Sequence, residues 1–321
     1  MKHIIDKNYF PGWVRKAVTF TIDDGNIEMD KKFLAIVRPA GILGTFNLCG
    51  ASAISPQEYR EMYQGYEIAN HVKAHPRIFA PGEKEKLPLS DELFDRETAD
   101  TAVFYRHPEI SGVWFFHGSY YNPDSYSDKK KWWFRITDTD TYVRLIDMAR
   151  LELEEVFGKG SVRSFVWPFG QQVDYKCVLK HVHEAGYYGA RDAGSPVKSF
   201  SLPTDRLHWK YCAMDHDLLQ IMEKFEALND DGELKFFSFG VHSIDYERNN
   251  TWKNLIVFCE RYSDRPDEFY YSTVGNIFDY EDAIKALEIT DTEIVNNSAL
   301  TIYIKIDGAP VTVEPKSSHK L

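Results

Sequence analysis

Two adjacent carboxylates and two histidines are the residues of this sequence best suited to chemistry. Asp23 and Asp24 follow an apolar, β-rich run, and Gly25 permits a sharp turn directly after them. Adjacent side chains at a strand end point to different sides, so one carboxylate can bind a metal while the other faces a water molecule. His71 and His75 have the spacing that lets two imidazoles reach one ion from one side of a helical turn. A metal ion and a carboxylate base beside one water are typical of a metal-dependent hydrolase.

Two further segments carry groups that such a reaction needs. Trp167-Pro-Phe-Gly ends another apolar run, and the backbone N–H of Phe169 in a turn of this kind can face a developing oxyanion. His242 follows an apolar run that ends at Val241, where a histidine can protonate a departing amine or alkoxide. Taken singly, each of these patterns also fits a plain structural role, as a turn, a surface histidine or a capped loop.

Composition restricts the partners of this chain. Its 321 residues suffice for one barrel-sized domain or two ordinary ones. The formal net charge of −11 makes nucleic acid and anionic membranes poor partners. No stretch approaches the roughly 20 apolar residues of a membrane span, and the first ten residues contain no apolar run of signal-peptide length. Four scattered cysteines without paired spacing favour free thiols, so we expect a cytoplasmic protein.

Short apolar runs alternate with segments of helical period, which indicates βα units. About seven such units predict a barrel or a strongly curled parallel sheet. The predicted strands are Ala17–Ile22, Gly44–Leu48, Tyr66–Ala69, Ser164–Trp167, Tyr187–Ala190, Phe236–Val241 and Phe269–Thr273. The predicted helices are Met29–Arg38, Pro56–Tyr63, Tyr142–Phe157, Asp174–Ala185, His216–Leu228, Trp252–Tyr262 and Tyr280–Leu287.

Two segments interrupt this alternation. Residues 79–140 lack a sustained period but contain many aromatic residues, including Trp114, Trp132 and Trp133. We expect this insert to fold locally over the site, although its rings could equally serve only to pack it onto the barrel. Near the C-terminus, two alternating runs flank Asp307-Gly308, a strong signal for a two-residue hairpin. We therefore divide the chain into a barrel over residues 1–290, including the insert, and a β-hairpin tail over residues 291–321.

The combination of motifs resembles one family. TFTIDDG, NHVKAHP, FVWPFG, YGARD and FGVHS occur in the order of the motifs of the polysaccharide deacetylase family, which is carbohydrate esterase family 4 or the NodB-homology domain. The resemblance extends from about Lys16 to about Ala286. It implies a distorted (β/α)7 barrel, here with a long insert and a C-terminal β-hairpin appendage.

The resemblance also assigns roles to individual residues. Asp23 would be the general base, the Phe169 N–H would stabilise the oxyanion, and His242 would protonate the leaving sugar amine. The substrate would be an N-acetylated or O-acetylated carbohydrate, and acetate would be released. One divalent metal is implied, zinc by default, with cobalt, nickel, manganese or iron as alternatives. Its ligands would be Asp24, His71 and His75.

The sequence departs from the family pattern in two motifs. The third motif usually begins with an arginine that orients the base, and Val166 occupies that position here. Arg191, at the end of the next predicted strand, could reach the same carboxylate instead. The fourth motif retains only Asp192, which could support His242 or pair with Arg191. These departures leave the partners of the base and of the acid open.

Two tryptophans are further candidates for the substrate region. Trp167 opens the turn that contains Phe169. Trp209 lies in a cluster with His208 and His216, and its ring could stack on a sugar or simply pack in the core.

Two other functions remain open at this point. One is hydrolysis of a non-sugar linear or cyclic amide at the same site, since the insert reshapes the region around it. The other is a catalytically silent carbohydrate-binding barrel, which the altered third and fourth motifs would permit.

Overall fold

A curled sheet of seven parallel strands lies at the centre of this α/β fold. The computed structural model describes residues 3–52, 54–78, 82, 89–95, 97–100, 103–118, 131–136, 138–169, 176–192, 196–197 and 199–321. The described strands are β1 (Ile5–Asp6), β2 (Lys16–Asp23), β3 (Gly44–Leu48), β4 (Glu67–Asn70), β5 (Arg77–Ile78), β6 (Leu89–Leu93), β7 (Phe104–Arg106), β8 (Val113–Gly118), β9 (Lys131–Ile136), β10 (Ser164–Val166), β11 (Gly189–Arg191), β12 (Lys235–His242), β13 (Phe269–Tyr271), β14 (Glu288–Ile289), β15 (Glu293–Asn296), β16 (Ile302–Ile306), β17 (Ala309–Val313) and β18 (Ser317–Lys320). The described helices are α1 (Ile27–Val37), α2 (Pro56–Met62), α3 (Thr139–Phe157), α4 (Lys176–Glu184), α5 (Leu218–Glu226), α6 (Ser243–Arg248), α7 (Trp252–Tyr262) and α8 (Val274–Lys285).

The strand order of the central sheet is that of a distorted barrel. Its path is β11-β10-β4-β3-β2-β12, and β13 also pairs with β2. All of these pairings are parallel. Isolated β-bridges join Trp209 to Arg191 of β11 and Ala213 to Phe239 of β12. The segment from Trp209 to Ala213 therefore lies between β11 and β12, the two ends of this strand order. The fold class predicted from the sequence is confirmed, and each of the seven predicted strands is present.

Strand β2 shows why the prediction succeeded. Seven of its eight residues are buried, as expected of a parallel strand that is covered on both faces. Its last residue, Asp23, lies opposite Asn47 of β3 and opposite His242 of β12. Parallel register therefore brings polar side chains from three strands together at the carboxyl edge of the sheet.

Each predicted helix is also present; α7 has the predicted ends, and the ends of the other six are shifted. Helix α8 begins at Val274, several residues before its predicted start, because the side chain of Thr273 accepts a hydrogen bond from the Asn276 N–H and caps it. Helix α6 is absent from the sequence-based prediction, since its six residues are too few to show a period. No helix within the described ranges is both long and apolar enough to cross a membrane.

The insert forms a second sheet together with β5, which directly precedes it, and this sheet was not predicted from the sequence. Its order is β5-β9-β8-β7-β6, and the pairing of β8 with β9 is antiparallel and spans six residue pairs. Trp114 is buried in this sheet, and the Arg106 guanidinium lies 5.8 Å from its ring centre. The side chains of Trp132 and Trp133, together with residues 119–130, lie outside the described part of the chain.

The C-terminal hairpin forms as predicted. Strands β16 and β17 pair antiparallel, and Asp307 and Gly308 have φ angles of 51° and 82°, as a two-residue turn of this kind requires. Strand β1 adds to β16, and β14, β15 and β18 form a further sheet. The tail shares a hydrophobic cluster with α8, through buried residues such as Phe278, Ile294 and Ile302. The boundary proposed at residue 290 lies between the paired strands β14 and β15.

Candidate metal centre and active site

The residues singled out in the sequence converge where the parallel strands end. Asp23 and His242 are the last residues of β2 and β12, and Arg191 is the last residue of β11. His71 follows β4 directly. In sheets built from parallel strands, catalytic and binding groups collect at this carboxyl edge.

Three side chains form a cluster with the spacing of metal ligands. The Asp24 Oδ1 atom lies 3.5 Å from His71 Nε2 and 3.7 Å from His75 Nε2. All three ligand atoms lie within 4.8 Å of one another. Ligand atoms at about 2.0–2.2 Å from a tetrahedral ion are themselves about 3.3–3.6 Å apart. The cluster therefore fits one divalent metal ion, with positions left for water or substrate.

The orientation of His71 supports that fit. Its Nδ1 lies 3.0 Å from the Val166 carbonyl oxygen, which can only accept, so Nδ1 carries the proton. Its Nε2 atom is buried and makes no hydrogen bond to any described residue. A lone pair is thereby fixed toward Asp24 and His75, in the manner of metal-binding histidines. Val166 thus contributes through its backbone, although it lacks the arginine side chain usual at this position.

The segment from His71 to His75 is not the helical turn that the spacing suggested. Val72, Ala74 and His75 have φ angles of 62°, 65° and 43°, in the left-handed region that non-glycine residues rarely adopt. Each such residue costs about 1–3 kcal/mol and persists only where its surroundings hold it. A hydrogen bond of 2.9 Å from the Val72 N–H to Asn70 Oδ1 is one such restraint. The two imidazoles converge through a strained loop.

The protonation state of His75 suits a metal ligand. Burial lowers its pKa to about 4, against the opposing effect of the Asp24 charge. The ring is therefore neutral near pH 7 and has a lone pair available. It packs edge-on against the ring of Phe169, with 4.4 Å between the ring centres.

A tight turn presents the Asp24 carboxylate. Asp24 and Gly25 have φ angles of 76° and 69°, and a Cβ on Gly25 would lie only 2.8 Å from Leu48 Cδ2. Burial raises the pKa of Asp24, but the positive charge of His242 and smaller contributions from His75 and His71 hold it well below its ordinary value. The carboxylate is ionised across the neutral range.

Asp23 is held by one oxygen and faces the site with the other. Its Oδ1 accepts hydrogen bonds from Arg191 Nη2 and, at 2.6 Å, from Asn47 Nδ2. Its Oδ2 lies 4.0 Å from His71 Nε2. Burial raises the pKa of Asp23, but the positive charge of Arg191, with smaller contributions from His71 and His242, lowers it by more, so the net shift is downward. Arg191 thus makes the contact that Val166 cannot make, and Asn47 is a partner that sequence analysis missed.

His242 faces the second carboxylate oxygen of Asp24, Oδ2, whereas His71 and His75 face Oδ1. Its Nε2 is 3.6 Å from Asp24 Oδ2, and its Nδ1 donates to Asp245 Oδ2 over 2.7 Å. Burial alone would lower the pKa of His242, but Asp24, Asp245 and Asp23 together raise it to about 9. Asp245 was not predicted from the sequence, although an acidic residue three positions after a helix-capping residue is a recognisable signal.

Asp192 makes neither of the contacts expected of its carboxylate. Its Oδ1 faces His208 Nδ1 at 3.6 Å, and only its backbone carbonyl accepts a hydrogen bond from Arg191. The place beside His242 is taken by Asp245, which is nearer along the chain and on the same helical turn. Burial raises the pKa of Asp192.

The aromatic candidates differ in position. Phe169 is in the left-handed region, at φ 57°, directly beside His75, and the next residue lies outside the described part of the chain. Trp167 is fully buried and packs edge-on against Phe165. Trp209 is also buried, with its ring edge-on to Phe236 and Phe278, so core packing accounts for it. His216 is mostly exposed beside Asp215.

Comparison with known protein families gives a match over more than half of this chain. The family model described as polysaccharide deacetylase matches residues 14–190, a span that contains β2, β4, β10 and the three ligand candidates but ends before Arg191 and His242. No curated protein matches the sequence.

Solved structures that are similar to this chain include a CE4 esterase, a polysaccharide deacetylase and a CE4 family pseudoenzyme. A CE4 esterase from Streptococcus mutans is 13% identical, with a TM-score of 0.45 over 81% of this chain and 86% of that one. The polysaccharide deacetylase Bc1974 from Bacillus cereus is 13% identical, with a TM-score of 0.42 over 81% and 92% of the two chains. A mutant of BA3943, a CE4 family pseudoenzyme, is 13% identical, with a TM-score of 0.40 over 82% and 67%. Because the family model covers more than half of its residues, this chain belongs to the polysaccharide deacetylase family.

Proposed function

We propose that this protein is a metal-dependent hydrolase that removes acetyl groups from acetylated carbohydrate, with N-acetylated sugars as the first choice. The observation that carries this proposal is the cluster of Asp24, His71 and His75, which lies between an anchored carboxylate, Asp23, and a protonated histidine, His242. Membership of the polysaccharide deacetylase family supports the substrate class.

The three clustered side chains would hold the metal. A divalent ion at this position would supply a Lewis acid and lower the pKa of a water molecule near it. Zinc is our default, because two neutral imidazoles and a carboxylate suit it, but the same ligands suit cobalt, nickel, manganese and iron.

Asp23 is suited to the role of general base. Its lowered pKa keeps it ionised, and Arg191 and Asn47 hold one oxygen so that the other faces the ligand cluster. As water attacks the acetyl carbonyl carbon, Asp23 accepts the proton that the water loses. The tetrahedral intermediate then carries its negative charge on the former carbonyl oxygen. The backbone N–H of Phe169 is our candidate donor to that oxygen.

His242 is suited to the role of general acid. With a pKa of about 9 it is protonated near pH 7, and its Nε2 points toward Asp24. Transfer of that proton to the sugar nitrogen lets the carbon–nitrogen bond break, which releases acetate and a free amine. Ester hydrolysis of an O-acetyl group would follow the same steps with an alcohol as the leaving group.

The first experiment measures metal content by elemental analysis, on wild type and on His71→Ala purified without added metal. We expect about one transition-metal ion per chain in the wild type and a loss of that metal in the variant. If neither protein holds metal, even after reconstitution, the hydrolase proposal fails.

The second experiment measures hydrolysis of a substrate panel: acetate release from N-acetylated and O-acetylated sugars, and the free amine or ring-opened product from linear and cyclic amides. Asp23→Asn is expected to retain metal and lose turnover. Hydrolysis of only the non-sugar amides would assign the substrate to that class instead of to acetylated carbohydrate. Ligand binding without turnover, unchanged in Asp23→Asn, would favour a silent carbohydrate-binding protein.

A further inference from the structure

We propose that Glu152 of α3 is a positioning residue for the loop that carries His71 and His75, and that it acts through Lys73. This inference rests on the proposed function, because it concerns the affinity of the same three-ligand cluster for metal. Glu152 is 77 residues or more from both histidines in the sequence, and the hydrogen bonds that it accepts among the described residues come from Lys73 and the Ala51 N–H.

The loop needs restraints from outside itself. Val72 and Ala74, which flank Lys73, both have left-handed backbone angles. Val72 is β-branched, and for such a residue a positive φ is a genuine outlier. A backbone of this kind relaxes unless its neighbours fix it, and any relaxation would move His71 and His75 relative to Asp24. Contacts from outside the loop therefore determine where His71 and His75 lie relative to Asp24.

Helix α3 provides several of those contacts. The Lys73 N–H donates to the Leu145 carbonyl over 3.2 Å, and Asn70 Nδ2 donates to the Ile146 carbonyl over 2.8 Å. About two turns further along this helix, Glu152 Oε2 lies 2.7 Å from the Lys73 ammonium. Leu145 and Ile146 are fully buried, so the helix is a firm support for the loop.

Glu152 also fixes the neighbouring loop after β3. The same Oε2 atom accepts a hydrogen bond of 2.8 Å from the Ala51 N–H. Gly50 packs so closely here that a Cβ on it would lie 2.5 Å from that oxygen. One carboxylate oxygen therefore joins the loop after β3 to the loop after β4, which carries the metal-ligand candidates.

The Lys73–Glu152 pair differs from an ordinary surface ion pair. Both side chains are about three-quarters buried, with 25% and 27% exposed, and the carboxylate has two donors from different segments. Exposed pairs contribute little to stability. We therefore expect the main effect of this pair on the geometry of the loop and so on metal affinity. Residues that orient metal ligands typically change metal affinity by about 10–100-fold when they are replaced.

The test is a double-mutant cycle on zinc affinity, measured by competition with a chromophoric chelator. Its members are wild type, Glu152→Ala, Lys73→Met and the double variant. Glu155→Ala is the matched control, because Glu155 is exposed on the same helix. Circular dichroism melts ensure that every protein is compared while folded, and Glu152→Gln replaces Glu152→Ala if the latter does not fold.

We expect Glu152→Ala to weaken zinc binding by about tenfold and Glu155→Ala to leave it unchanged. The double variant should be no weaker than Glu152→Ala, because Glu152 acts through Lys73 and the contact between them is already lost in the single variant. Wild-type affinity in Glu152→Ala would overturn the inference and leave the metal centre intact. Additive losses would overturn the link through Lys73. If wild type itself binds neither zinc nor cobalt, nickel, manganese or iron, the proposed function fails, and this inference fails with it.

Discussion

His242 donates a hydrogen bond from Nδ1 to Asp245 Oδ2, 2.7 Å away and three residues further along the chain. The same oxygen accepts the backbone N–H of His242 at 3.3 Å, so Asp245 caps α6 and orients the imidazole at once. Arg248 holds the other oxygen at 3.2 Å. The Nε2 atom is left pointing at Asp24.

Asp245→Asn should weaken the general acid. The amide removes a negative charge that raises the pKa of His242, so that pKa should fall below about 9. We expect kcat to fall by about 10–100-fold, part of what general acid catalysis contributes. The alkaline decline of kcat should also move to lower pH. The measurement is kcat against pH, with Glu247→Gln on the exposed face of α6 as the control. An unshifted profile would exclude this role of Asp245.

His242 should also make the stability of the metal-free protein depend on pH. Its pKa in the folded protein, about 9, is above its ordinary value of 6.5. The folded state therefore binds this proton more tightly than the unfolded state. The resulting stabilisation is fully present below pH 6.5 and is lost as the pH rises through about 9.

This dependence is measured by urea denaturation of chelator-treated wild type and His242→Gln between pH 6 and pH 10. The difference in unfolding free energy between the two proteins should shrink as the pH rises. A difference that stays constant would contradict the raised pKa.

Arg191 and Asp23 should depend on each other for stability. Both side chains are buried, so Arg191→Met would leave a carboxylate buried without its cation. Breaking a buried ion pair in this way costs about 3–5 kcal/mol. Adding Asp23→Asn to Arg191→Met should restore part of the lost stability, because the amide carries no charge. Chemical denaturation of the four proteins tests this, and strictly additive losses would count against the pair.

Gly25→Ala should cost more stability than an alanine at a glycine of similar backbone conformation. Gly25 and Gly41 have φ angles of 69° and 65°, but only a Cβ on Gly25 meets a neighbour, Leu48 Cδ2 at 2.8 Å. The left-handed conformation alone costs about 1–2 kcal/mol in either variant. The clash in Gly25→Ala should add about 1–3 kcal/mol. The free energy of unfolding of both variants is measured by denaturation. Equal losses would show that the Leu48 side chain moves aside without lowering stability.

The sequence by itself determined the central sheet and the place of the site. Parallel strands buried on both faces are continuous apolar runs, so strands such as β2 and β12 could be recognised one at a time. Once they are parallel, their carboxyl ends must share one edge, and residues after those ends come together. Asp23, His71 and His242 could therefore be assigned to one site before any contact was known.

Only the tertiary structure decided which side chains support that site. Asn47, Arg191 and Asp245 make contacts that depend on strand register and on the rotation of α6. Asp192, nearer to Arg191 in sequence than Asp23 is, turns its carboxylate toward His208 instead. The insert sheet and the strained loop at His71 likewise depend on partners far along the chain. Periodicity and residue type report local preference, whereas these features, apart from the local contact between His242 and Asp245, arise from long-range contacts that override it.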